Sequence, residues 1–262
     1  MAFLFFDIDG TLLDDKNYDI PKSAVHALKL AKEKGHEIFV NTGRTFCCIP
    51  EVLNKIGFHG YLCACGTHLT YGSQVLFSRV LEEEKGYEYV RQMKTFGVEA
   101  VLEGVEDLYY SKEEYRYSWF RQNQKEYARD LGVGLQTFIE DWDYRIQKML
   151  IYVDEQSQKE KFFEAISDEM DPIDRKNGFY ECVQKNYSKA TAIDYIRKYL
   201  GADMGDIYVF GDSSNDLTMF EYAEHTIAMG KHDAVLEPYT EYITDTVEND
   251  GIYKALKYYK LI

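Results

Sequence analysis

The sequence predicts an α/β protein in which a parallel-sheet core is interrupted by a second, α+β domain. Three observations predict it. Near both ends of the chain, strand-length apolar runs alternate with helix-length amphipathic segments and no hairpin turn lies between them, the grammar of parallel crossovers. In the middle, several strands alternate apolar with polar residues, as a sheet with one covered face does. At 262 residues, the chain is long enough for a core with an insertion.

AFLFFD reads as a short buried strand. PKSAVHALKLAKEKG follows as a helix with Pro21 suited to its first turn, Val25, Leu28 and Ala31 or Lys32 on the repeat, and Gly35 ending it. HEIFVNTGR is the next strand, so residues 1–45 form one right-handed βαβ unit. Residues 46–56 are expected to be helical and to lead to the strand YLCAC. In the middle lie a helix over EEEKGYEYVRQMKTFG, strands EAVLEG and DLYYS, a helix from Lys112 to Leu131, a strand near RIQKMLIYV, a helix from Gln156 to Met170, and the strand GFYECVQ. SKATAIDYIRKYLG is then helical with Ala190, Ile193, Ile196 and Leu200 inward, before the strands of DIYVFGDSSND, TIAMG and YITD. There is no internal repeat.

Composition narrows the partners. The formal net charge of -15 opposes an extended nucleic-acid backbone or an anionic membrane, so neither is expected. A small anion remains compatible where local cations or a metal reverse the field. Ala2 to Phe6 lacks a basic flank and is too short for a signal peptide or a span, so a cytoplasmic location is expected. The five cysteines, Cys47, Cys48, Cys63, Cys65 and Cys182, lack zinc-type spacing and read as free structural thiols.

The chemistry gathers where apolar runs stop. FLFF ends at Asp7, IFV at Asn41 and Thr42, and IYVF at Gly211 and Asp212. In an open parallel sheet, ligands collect at the carboxyl ends of strands. Asp7 and Asp9 project to one side of an extended segment, where two unneutralised carboxylates repel each other. A divalent cation offsets that repulsion, and Mg²⁺ prefers oxygen ligands. Asp212 is a further carboxylate for it, and Asp216 lies one helical turn on, with Asn215 between them.

An isolated D-x-D pair is usually a turn or a cap. The whole string DIDGTLL is less common, with Gly10 permitting a sharp turn and Thr11 offering a hydroxyl. Asp14 and Asp15 have no such context and read as surface or turn residues. NTGRT reads either as a simple strand-to-loop turn or as a phosphate contact through the Thr42 hydroxyl and the Gly43 amide. Lys189 opens a helix, where the dipole opposes a cation, and would place positive charge among carboxylates and phosphate.

In that order, and with a long insertion between the second and third, DIDGTLL, NTGRT, SKATAI and GDSSNDLTMF resemble the four motifs of the haloacid dehalogenase (HAD) superfamily. The arrangement resembles its Cof-type phosphatases, which carry a C2 (type IIB) cap after the third core strand. The likeness runs from Phe3 to Gly251. It implies an HAD-like fold, a Rossmann-like parallel-sheet core over residues 1–82 and 187–262 with an inserted α+β cap over residues 83–186. It also implies an aspartyl-phosphate mechanism, with Asp7 as nucleophile and Asp9 as acid and then base. Mg²⁺ would be held by the Asp7 carboxylate, the Asp9 carbonyl and Asp212, with Asp216 supporting it directly or through its neighbours. Thr42, Gly43, Lys189 and Asn215 would bind the phosphoryl group, with Thr11 beside it. Cys65 before Gly66 departs from the Asn-Gly common in relatives, and Ala190 stands where glycine often follows the lysine.

The expected activity is Mg²⁺-dependent hydrolysis of small phosphorylated metabolites, sugar phosphates foremost, by a monomer or weak homo-oligomer. Phosphotransferase or phosphomutase chemistry is the alternative within the same fold. A non-catalytic phosphometabolite-binding protein is the alternative from another class. In relatives the cap selects the substrate; here Arg116, Trp119 and Arg121 are cap candidates, although at helical spacing such residues more often pack or face solvent.

Overall fold

The computed structural model describes residues 1–14 and 19–262. Asp15, expected at a surface or turn, lies outside the described residues. Packing divides the chain into two compact units, one of Met1–Gly43, Glu51–Phe77 and Tyr187–Ile262, the other of Arg44–Pro50 and Ser78–Asn186.

The first unit is built on an eight-stranded sheet, with α/β crossovers. In chain order its elements are β1 (Phe3–Phe6), α1 (Lys22–Glu33), β2 (Glu37–Asn41), α2 (Glu51–Asn54), β3 (Gly60–Cys63), β4 (His68–Tyr71) and β5 (Gln74–Ser78). The second unit supplies α3 (Glu83–Phe96), β6 (Glu99–Glu103), β7 (Leu108–Tyr109), α4 (Trp119–Leu131), β8 (Lys148–Tyr152), α5 (Lys159–Ile166), β9 (Met170–Asp174) and β10 (Phe179–Gln184). The chain then returns with α6 (Lys189–Leu200), β11 (Ile207–Gly211), α7 (Leu217–Tyr222), β12 (His225–Ala228), β13 (Tyr242–Ile243) and α8 (Gly251–Tyr258). The strand order is β13-β12-β11-β1-β2-β3-β4-β5, and the pairs from β13 to β3 are parallel. From β1 the chain builds β2 and β3 to one side and later β11 to β13 to the other, so the order reverses beside β1. That is where such sheets bind ligands.

β1 is buried on both faces because every residue of FLFF is apolar. Phe5 stacks on Phe39 at 4.9 Å and Phe6 on Phe210 at 4.4 Å, locking β1 between β2 and β11. These aromatic pairs bury large apolar surfaces at the centre of the unit.

The second unit is a five-stranded antiparallel sheet ordered β7-β6-β8-β10-β9. Alternation assigns its faces. Ala100, Leu102, Met149, Ile151 and Cys182 pack with Tyr89 and Met93 of α3 and Phe162 of α5, while Val101, Leu150, Tyr152 and Phe179 pack with Phe120 of α4.

Four local expectations shift. In α1 the inward stripe is Ala24, Ala27, Leu28 and Ala31, and Val25 is exposed, so the face is rotated by one position. In α6 it is Ala192, not Ala190, that is buried beside Ile193 and Ile196, and Leu200 is only partly covered. α4 begins at Trp119 rather than Lys112, because carboxylates from other elements take the backbone N–H groups before it: Glu140 accepts from Lys112, and Glu99 from Arg116 and Tyr117. Helix α5 stops at Ile166, and Met170 instead opens β9, pairing with Gln184. The elements β4, β5 and α8 went unforeseen, β4 and β5 being joined at Gly72 with φ +57°. Residues 46–56 hold only a three-residue turn of helix and the short α2.

Candidate active site

Parallel register brings Phe6 level with Val40 and Phe210, so the residues that follow each strand emerge together. The Asp7 N–H donates to the Phe210 carbonyl at 3.0 Å, continuing the ladder one step beyond the sheet. The chain then folds back: the Ile8 carbonyl accepts from the N–H groups of Thr11, Leu12 and Leu13 at 3.3, 2.9 and 2.8 Å. Gly10 makes this turn with φ +75°, and a Cβ there would stand 2.4 Å from Asp212 Oδ2. No larger residue fits. Thr11 closes the turn onto the distant strand by donating its hydroxyl to Asp212 Oδ1 at 2.9 Å.

The loop after β11 is organised by Asp216, which is fully buried. Its Oδ2 accepts from the Asp212 and Ser213 N–H groups at 2.9 and 3.0 Å. The Ser213 hydroxyl donates to Asn215 Oδ1 at 2.9 Å. Asp233 braces the loop from outside: its N–H donates to the Asp212 carbonyl at 2.7 Å and its carboxylate accepts from the Ser214 N–H at 2.9 Å.

Helix α6 delivers the cation. Ser188 caps it, its hydroxyl accepting from the Thr191 N–H at 3.2 Å. Lys189 is only 1% exposed, with Nζ 2.8 Å from Asp7 Oδ1, 2.6 Å from Asp216 Oδ1 and 3.4 Å from Asn215 Oδ1. Asn41, at the end of β2, ties down this first turn by donating its amide to the Lys189 carbonyl at 3.1 Å. A cation at a helix N-terminus opposes the dipole, and here two carboxylates offset that cost.

The electrostatics follow from burial. Burial pushes the Asp7 carboxyl up to about 7, helped by the charges of Asp216 and Asp9 and opposed by Lys189. Asp212 rises to about 8, again through burial and then the Asp7 and Asp216 charges, although the Thr11 hydroxyl works against this. Burial alone would lower Lys189, but the Asp216 and Asp7 carboxylates outweigh it and hold its pKa above the ordinary value. Once ionised, these three carboxylates outnumber the one ammonium, so without a further cation the group holds protons instead. One oxygen each from Asp7, Asp212 and Asp216 lies within 4.8 Å of the others. Such a hard oxygen set suits Mg²⁺, so the residues present fit the ion.

The structure thus brings Asp7, Asp212, Asp216, Lys189, Asn215 and Thr11 into one connected group. Asp9 lies two residues from Asp7 in the same turn, partly exposed, and its charge is felt at Asp7. Thr42 and Gly43 follow β2 and are buried, with the Thr42 N–H donating to the Leu62 carbonyl at 2.8 Å, so this backbone is held to β3. Asp14 is partly exposed. Arg116 pairs with Asp154 at 3.0 Å, Trp119 meets Phe179 edge-on at 4.9 Å and Arg121 lies over the Tyr115 ring at 4.9 Å, so all three have structural partners within the second unit. Sequence reasoning passed over Ser213 and Asp233, and it placed Asn41 at a strand end without giving its side chain a role. Asn41 carried a signal, a polar residue ending an apolar run; Asp233 carried none, because its partners lie 19 and 21 positions away.

A family model described as haloacid dehalogenase-like hydrolase matches residues 4–256. The chain belongs to that family. As a haloacid dehalogenase-like hydrolase it is an enzyme, and its relatives are named as phosphatases. It is 28% identical over 263 residues to a Bacillus subtilis protein named "Putative phosphatase YkrA", covering 97% of this chain and 96% of that one. It is 24% identical to the 5-amino-6-(5-phospho-D-ribitylamino)uracil phosphatase YcsE of Bacillus subtilis, covering 100% of this chain and 96% of that one. Among solved structures, a subclass IIB sugar phosphatase of the HAD superfamily superposes with a TM-score of 0.82 at 24% identity, with 100% of both chains covered. That likeness carries the fold. Among the described residues, no helix is long and apolar enough to cross a membrane.

Proposed function

We propose that this HAD-like hydrolase is a Mg²⁺-dependent phosphatase acting on small phosphomonoesters of sugars or sugar alcohols through an aspartyl-phosphate intermediate. The observation that carries the reading is the buried Asp7–Lys189–Asp216 bridge with Asp212 beside it, a cluster whose carboxylates, once ionised, outnumber its one ammonium and leave room for a second cation's charge. Asp7, Asp212 and the Asp9 carbonyl would hold Mg²⁺, which when bound neutralises charge on the phosphoryl oxygens. Asp216 has one oxygen on Lys189 and the other on two loop N–H groups, which favours a role in shaping the site through those bonds.

Lys189 holds Oδ1 of Asp7 and so fixes the carboxylate that attacks phosphorus. As the bond to the leaving oxygen breaks, Asp9 gives that oxygen a proton. In the second step Asp9 takes a proton from the water that attacks the aspartyl-phosphate, and Asp7 leaves as a carboxylate. Lys189, Asn215, Thr42 and Gly43 would supply donors to the phosphoryl oxygens. The substrate class rests on what the relatives' names share. A sugar phosphate and a phosphoribityl group are both phosphate esters of polyhydroxylated chains.

The test is release of inorganic phosphate from a panel of sugar phosphates, phosphoribityl compounds and a simple aryl phosphate, with Mg²⁺ and with chelator. Asp7→Asn should lower release on the order of 10³-fold or more. Undiminished release by that variant, or by the chelated wild type, would remove the proposal.

A further inference from the structure

Cys47 and Cys48 stand just after the Thr42–Gly43 turn and have no part in the chemistry above. They lie in Arg44–Pro50, the short excursion that packs with the second unit. Their sulfurs are 3.7 Å apart, in van der Waals contact. Thr45 bridges them, its hydroxyl donating to Cys48 Sγ at 3.3 Å and lying 3.5 Å from Cys47 Sγ. Cys48 is buried, whereas Cys47 is partly exposed with its thiol directed at the Gly104 carbonyl at 3.5 Å. The Cys47 N–H donates to the Val105 carbonyl at 3.0 Å, and the Arg44 guanidinium donates to the Cys48 carbonyl at 3.1 Å.

We propose that Cys47 and Cys48 form a peroxide-sensitive dithiol that closes to a vicinal disulfide and reversibly lowers the enzyme's turnover. The asymmetry of the pair assigns the roles. Hydrogen bonding from Cys48 draws the Cys47 thiol below its ordinary range; Thr45 adds to this, while burial and the Glu103 and Asp107 charges oppose it. Cys48 is pushed up, chiefly by burial. The accessible sulfur with more thiolate character is the nucleophile, and the buried neighbour is the resolving thiol.

The Cys47 thiolate attacks the O–O bond of a hydroperoxide: an S–O bond forms, the O–O bond breaks, and the departing oxygen leaves as water or alcohol after taking a proton. Cys48 sulfur then attacks Cys47 sulfur, an S–S bond forms, the S–O bond breaks, and the hydroxide leaves as water with the Cys48 proton. Two thiols lose two electrons and the peroxide gains them. No rearrangement is needed to start, because the two sulfurs already touch.

Closure has a mechanical consequence. Adjacent α-carbons lie about 3.8 Å apart across a trans peptide, closer than the roughly 4.4–6.8 Å that a disulfide prefers. The ring therefore distorts the Thr45–Cys48 turn, whose Cys48 N–H to Thr45 carbonyl bond is 2.9 Å. That turn directly continues the segment bearing Thr42 and Gly43. A strained bridge of this kind is also readily reduced, which makes the change reversible.

The test treats the full-length, Mg²⁺-loaded protein with hydrogen peroxide and maps the tryptic peptide TFCCIPEVLNK, which holds both cysteines and no other. The peptide should lose two hydrogens, regain them with dithiothreitol, and carry no link to another peptide. Cys48→Ser should stop at a sulfenic acid that dimedone traps on Cys47, and Cys47→Ser should resist oxidation at this peptide. Phosphate release should fall several-fold on oxidation and recover on reduction. A peptide that stays reduced, or oxidation of Cys47→Ser as fast as the wild type, overturns the site. Unchanged phosphate release with the peptide fully closed overturns the control. The mass readout needs no turnover, so it stands or falls separately from the phosphatase reading.

Discussion

With Lys189 replaced by methionine, Asp7 and Asp216 would share a buried pocket without their cation. Removing one partner of such a buried group costs roughly 3–5 kcal/mol, far more than an exposed pair, so Lys189→Met should destabilise the metal-free protein on that scale by denaturant titration at neutral pH. The loss should shrink at pH 5, where the Asp7 carboxyl takes up a proton and no longer needs the Lys189 ammonium. The same residue explains why a cation opens helix α6. Its surroundings are acidic enough to outweigh both burial and the helix dipole, and the Asn41 amide anchors that turn from β2.

Among elements, the junction between the β3 loop and the start of α6 is built for close approach. Gly66 has φ +93°, and a Cβ there would stand 2.4 Å from the Ser188 carbonyl oxygen. Gly66→Ala should therefore cost about 1–3 kcal/mol, measured as a shift in the unfolding midpoint, and should weaken activity by displacing the helix that carries Lys189. Ser188→Ala, which removes only the cap, should cost about 1 kcal/mol. Beside Gly66, Cys65 sits at φ +53°, a left-handed conformation that asparagine tolerates better than other side chains.

For the whole molecule, the raised carboxyls link stability to pH. Unfolded aspartates titrate near about 3.9, whereas Asp7 and Asp212 in the fold titrate at about 7 and about 8. Folding thus holds protons that the unfolded chain has released. This contribution to stability is fully present below pH 4 and is lost as pH rises through 7 to 8. On the proposed reading, Mg²⁺ would compete with those protons for the same oxygens, and its binding would tighten over the same window. Scanning calorimetry should show a larger Mg²⁺-induced rise in melting temperature at pH 8 than at pH 6. An equal rise at both would mean that the ion does not engage these carboxylates.

The amino-acid order alone determined where strands stop and which polar residues follow them. FLFF, IFV and IYVF are long enough and apolar enough to demand a buried sheet, and their terminal Asp7, Asn41 and Asp212 could be read directly. The alternation that separates the two faces of the second sheet was equally legible. What only the tertiary structure decided was which donors meet which acceptors across large sequence distances. Lys189 meets Asp7 from 182 positions away and Thr11 meets Asp212 from 201. The late start of α4 and the strand at Met170 were also tertiary decisions, because carboxylates and a sheet edge from elsewhere satisfied backbone groups that a local reading assigned to a helix. Local periodicity records which side of an element is apolar; it carries no record of what that side will be pressed against.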